Sequence, residues 1–167
     1  MYIAYAATAD QTITNTTTET TLFGTGVGTL TFPANFWTVG RIVRINISGD
    51  IADTGNPTAQ VRVKLGATTV SDSTATTLAG LSGTEEWDCK VTLVCESIGG
   101  TGTIETNIIF EYETTTGSSP IRRFDISGTN TVYDTTASGA VDVTFQWGTA
   151  SASNTLVSQI STVEVLT

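Results

Sequence analysis

Glu85, Glu86, Glu96, Glu105, Glu111 and Glu113 crowd into one short stretch of the chain. Two carboxylates a few ångström apart are what glycoside hydrolysis requires, one protonated to assist the leaving oxygen and one ionised to attack or to activate water. The sequence has no histidine, so acid–base chemistry would fall to such carboxylates. Most of these glutamates alternate with apolar residues, which places them on the solvated side of strands, where a row of like charge also discourages edge-on aggregation. No catalytic residue is assigned, and the chain is not expected to be an enzyme.

The other chemistry-bearing patterns also have plainer readings. Cys89 and Cys95 fall on one strand, where a rise of about 3.3 Å per residue separates them by roughly 20 Å, beyond the reach of a disulfide. They are expected as buried free thiols, and with no histidine and no further cysteine they form no metal site. Asp50, Asp53 and Asn56 offer oxygens to a calcium ion, but their spacing does not follow a calcium-loop pattern and such residues are common in turns. Gly24-Thr25-Gly26-Val27-Gly28 lacks the helix that a phosphate-binding loop opens, so it reads as a hairpin turn. Phe32, Phe36 and Trp37 are close enough in sequence to form a sugar-stacking platform; an aromatic plug at the end of a sandwich is favoured. Trp87 and Trp147 share parity with Val, Ile and Leu on their strands and are expected in the core. Arg122-Arg123 is too small a basic patch for nucleic acid.

These residues need strands to hold them. From Glu85 to Thr114 the chain reads as a long β-hairpin, with Trp87, Cys89, Val91, Leu93 and Cys95 on one face and Ile104, Thr106, Ile108, Phe110 and Tyr112 on the matching face of its second half. Period-two alternation of this length marks strands with one buried side. The linker from Ser97 to Gly102 supplies turn glycines. Further strands are expected at 41–52, 60–65, 68–71, 121–126, 131–133 and 141–147, with a loop at 115–120. A last strand at 156–166 changes parity between Ile160 and Val163, which implies a bulge. The economical solution is an all-β, antiparallel β-sandwich, with a jelly roll favoured over an Ig-like sandwich. Residues 1–18 are expected as an extended N-terminal arm and residues 19–167 as a single domain.

Bulk composition agrees. Thr occupies 36 of the 167 positions, and its β-branched side chain suits a pleated, half-exposed surface. A net charge of −9 repels phosphate backbones and anionic headgroups, which argues against nucleic acid and membrane surfaces as partners. No stretch approaches the roughly 20 apolar residues of a membrane-spanning helix, and residues 1–10 do not read as a signal peptide.

Several segments resemble small virion proteins of tailed bacteriophages. They are Leu22-Phe23-Gly24-Thr25-Gly26, Leu30-Thr31-Phe32-Pro33-Ala34-Asn35-Phe36-Trp37 with Val39-Gly40, Val61-Arg62-Val63-Lys64-Leu65-Gly66, Gln146-Trp147-Gly148-Thr149-Ala150-Ser151, and Val163-Glu164-Val165-Leu166. The shared features are turn glycines and core aromatics rather than catalytic groups. The resemblance implies a β-sandwich that decorates or cements a capsid, with the major capsid protein as partner and a dimer or trimer as the expected homo-oligomer. The second role it implies is a head- or tail-fibre module that binds host-surface carbohydrate. The expected location is the virion, assembled in the bacterial cytoplasm, with no cofactor. Tyr2, Ile3, Tyr5 and Ile13 of the arm, with Phe36 and Trp37, are the expected assembly contacts, the arm adding strands to a neighbour's sheet.

Overall fold

A computed structural model describes residues 1–115 and 118–166. Among these residues the chain forms strands and no helix. In order they are β1 (Tyr2–Ala7), β2 (Gln11–Thr14), β3 (Thr20–Thr21), β4 (Gly26–Gly28), β5 (Thr31–Phe32), β6 (Ile42–Ala52) and β7 (Thr58–Leu65). There follow β8 (Thr68–Asp72), β9 (Thr76–Thr77), β10 (Glu85–Ser97), β11 (Gly102–Thr115), β12 (Ser118–Tyr133), β13 (Gly139–Trp147) and β14 (Thr155–Val165). The larger sheet has the order β12-β11-β10-β6-β14-β1-β4, with β2 also on β14; the smaller has β3-β13-β7-β8, with β5 on β13 and β9 on β7. All pairings are antiparallel. The expected antiparallel sandwich is the observed architecture.

The jelly-roll order favoured from the sequence is not confirmed. In that topology consecutive strands switch sheets at nearly every connection, whereas β10, β11 and β12 stay side by side in one sheet. The segments expected at 121–126 and 131–133 are parts of the single strand β12. The centre of the expected loop at 115–120 (Thr116 and Gly117) lies outside the described residues.

The central hairpin forms as its alternation requires. Trp87 pairs with Tyr112, Cys89 with Phe110, Val91 with Ile108 and Cys95 with Ile104, and all of these face the core. Phe110 packs against Trp87 and Phe124 in its own sheet, with centroids 5.2 and 4.8 Å away, and reaches Phe145 of the other sheet at 6.1 Å. Phe145 in turn meets Trp147 edge-on at 4.8 Å. These rings bind the two layers together, and offset or edge-on ring pairs add to the burial that drives the packing. At one end of the sandwich Phe32 stacks on Phe36 at 4.0 Å and Trp37 lies edge-on to both. This is the plug, not the platform.

Residues 1–18 are not a detached arm. β1 pairs with the C-terminal half of β14 and β2 with its N-terminal half, so the two act as one interrupted strand along the whole of that edge. Tyr5 and Ile13 sink into the core, and the Trp147 indole N–H donates to the Ile13 carbonyl at 3.2 Å. The domain therefore includes the N-terminal strands. The bulge in β14 lies between Ser158 and Ile160, slightly upstream of the expected parity change.

Candidate functional site

Three places on this scaffold hold the residues whose types and spacing suggested function. The first is a concavity of about 330 Å³ on the outer face of the larger sheet, lined by Asp50, Glu86, Asp88, Glu111, Glu113 and Gln159 among others. Strand register creates it: Asp50 sits opposite Glu86, and Asp88 opposite both Ser48 and Glu111. Their charge is answered by cations and an amide. Lys90 Nζ lies 2.8 Å from Asp88 and 3.9 Å from Glu111, Arg123 lies 3.9 Å from Glu111, and the Gln159 amide donates to Asp50 at 2.9 Å. The bond to Asp88, with that carboxylate's charge, raises the Lys90 pKa and keeps the amine protonated. The result is a solvated, net acidic surface, with five carboxylates against the two cations Lys90 and Arg123 and with Trp87, Tyr112 and Ile121 also in its lining. Glu85 departs from the solvated reading. It points inward with Trp87, is 2 % exposed, and accepts a bond from the Ser82 hydroxyl at 2.8 Å, because the loop before β10 folds over it.

The second place is the 50–56 turn. Asp50 turns to Gln159, whereas Asp53 accepts the Leu81 N–H at 3.1 Å. Burial pushes the Asp53 pKa up despite that bond. The side chain of Asn56 lies against Gly80. Asp50 and Asp53 thus engage different partners, and no group of three or more His, Cys, Asp or Glu able to hold a metal ion is found among the described residues. The cysteines are buried and free, as expected, and burial pushes the Cys89 thiol up to about 12, which makes it inert as a nucleophile.

The third place is the set of expected assembly contacts, and the structure divides it. Tyr2 and Ile3 are 55 % and 63 % exposed, and Val27, on the neighbouring strand β4, is 69 % exposed. Tyr5, Ile13, Phe36 and Trp37 are buried in the core. The Arg41 guanidinium lies 4.8 Å from the Phe36 ring centre and bonds the Phe36 carbonyl, which holds the plug in place.

Sequence reasoning missed an ion network on the outer face of the smaller sheet. Glu19 pairs with Arg62 at 3.2 Å and Lys64 at 2.6 Å and accepts the Thr144 hydroxyl at 2.6 Å, while Arg62 also pairs with Asp72 at 3.1 Å. Gln146 donates to the Thr17 carbonyl at 2.9 Å. Together they fasten the segment leading into β3 across the sheet. Alternation gave the outward cations Arg62 and Lys64 but not their partner, which lies more than 40 positions away in sequence.

No protein-family model, curated protein or solved structure matches the chain.

Proposed function

We propose that the chain is a structural protein of a phage virion: a capsid decoration or cement protein that docks on the outside of the head, against the major capsid protein, and stabilises it through contact area. The proposal starts from the segments that resemble small virion proteins. The observation that favours cement over a carbohydrate-binding fibre module is the fate of the rings. Trp37, Trp87, Trp147, Tyr112 and Tyr133 are each at most 7 % exposed, so none is left as a stacking platform for sugars. A cement works through a broad surface rather than a cleft. Tyr2 and Ile3 are the part of the expected contact set that remains at the surface, and the exposed Val27, outside that set, lies on the neighbouring strand. Two buried thiols and the acidic surface suit assembly in a bacterial cytoplasm.

The test is sedimentation of the purified chain with heads built from the major capsid protein encoded alongside it. Saturable co-sedimentation and a higher disruption temperature of the heads are expected. Replacing Tyr2 and Ile3 by serine should weaken binding by about tenfold while leaving the sandwich folded. A chain that stays in the supernatant but is retained on a host-glycan array belongs to a fibre instead.

A further inference from the structure

We propose that the free edge of β12 pairs with β12 of a second copy of the chain, antiparallel about a two-fold axis at Phe124. This self-association stands apart from the capsid reading and holds whether or not the chain binds a head.

The strands at the remaining edges are short: β4 has three residues, β2 four, β3, β5 and β9 two each, and β8 five. Short or interrupted edges of this kind resist strand addition. The strand β12 has 16 residues, shifts register against β11 between Ile126 and Thr129, and among the described residues pairs on one side only, with β11. Its C-terminal part is engaged, since the Thr131 hydroxyl donates to the Val70 carbonyl of β8 at 3.0 Å. Between Ile121 and Ile126 no such cover is found among the described residues. Ile121, Arg122, Arg123 and Asp125 are exposed, and Phe124 and Ile126 are only partly buried where they pack on the core.

The order of side chains on this edge then selects the occupant. Charges on an edge strand ordinarily repel a second strand. Here they have opposite sign on the two sides of Phe124. When two copies run antiparallel about that residue, Arg123 of each meets Asp125 of the other on the outer face. On the inner face Phe124 meets its own copy, and Arg122 lies beside Ile126 of the other chain. Residues directly opposite in an antiparallel pair point to the same face, so these matches are side-chain neighbours and not merely aligned letters. Within one chain Arg123 and Asp125 already lie 2.8 Å apart, so both groups are positioned on the outer face. The contact is isologous, and each complementary pair therefore occurs twice. A parallel pairing of the same edges would not place the charges in this way.

Sedimentation equilibrium of the full chain, with single and double charge reversals, tests the proposal. The wild type is expected to form a dimer with a dissociation constant in or below the micromolar range. Arg123→Asp or Asp125→Arg alone, each placing like charges opposite twice, should weaken the dimer by at least about tenfold. The double variant carrying both reversals restores opposite charges and should recover it. Circular dichroism on each variant checks that these exposed substitutions leave the fold intact. A wild type that stays monomeric at about 100 μM, a trimer, or a dimer indifferent to the single reversals would overturn the proposal.

Discussion

The Trp87 indole reaches from β10 across Gly49 and donates to the carbonyls of Asp50 and Val157, both at 3.1 Å. It caps backbone groups beside the β14 bulge that would otherwise face the apolar core, where an unmet carbonyl is costly. A methyl group at position 49 would lie 2.0 Å from the Val157 carbonyl oxygen, and backbone cannot yield as a side-chain tip does. Gly49→Ala is therefore expected to destabilise the domain by on the order of 3 kcal/mol, read by urea denaturation. Glu19 carries a second prediction. Burial acts to raise its pKa, but the bonds from Lys64 and Thr144 and the nearby Arg62 charge outweigh it and hold the carboxyl below its usual range. A depressed folded-state pKa contributes stability above the unfolded value of about 4.3 and loses it as pH falls through the folded value. Asp72 behaves alike, whereas Asp142, raised by burial against the Thr21 bond and Lys64, opposes the trend as it ionises. Glu19→Gln should cost about 1 kcal/mol at pH 7, and the gap to the wild type should close towards pH 3. A gap unchanged with pH would remove the ionic role. The core positions of Trp87 and Trp147 were legible from parity alone. The burial of Glu85 was not, because alternation says nothing about which loop closes over a strand's first residue.

At the scale of elements, the long hairpin was readable because its strands alternate without interruption and are joined by a short turn. The N-terminal strands were not. β1 carries a bulge between Ile3 and Tyr5 that breaks its alternation, β2 has four residues, and both find their partner in β14 at the opposite end of the sequence. Local pattern cannot report a pairing with that sequence separation. The consequence for experiment is direct. Deleting residues 1–18 strips β1 and β2 from β14 and removes Tyr5, Ile13 and the acceptor of the Trp147 N–H from the core. Loss of one large buried aliphatic residue alone costs about 2–5 kcal/mol, so the truncated chain is expected to lose cooperative thermal unfolding by circular dichroism. A truncated chain that still melts cooperatively near the wild-type temperature would return these residues to the status of an arm.

At the scale of the whole molecule, two sheets close over a core of stacked rings, and the outside is left to threonines and an excess of carboxylates. The sandwich class followed from composition and period, whereas the strand order did not, since alternation sets which face is buried and not which strand is the neighbour. Such a molecule offers area, edges and a net charge of −9, and the role proposed for it needs only these. A cryo-electron reconstruction of the particles that carry the chain tests this most directly. Density for the two-layer sandwich is expected at repeated positions on the outer surface of the head, in contact with the major capsid protein. Density confined to the tail or to fibre tips, or particles that lack the chain altogether, would contradict it.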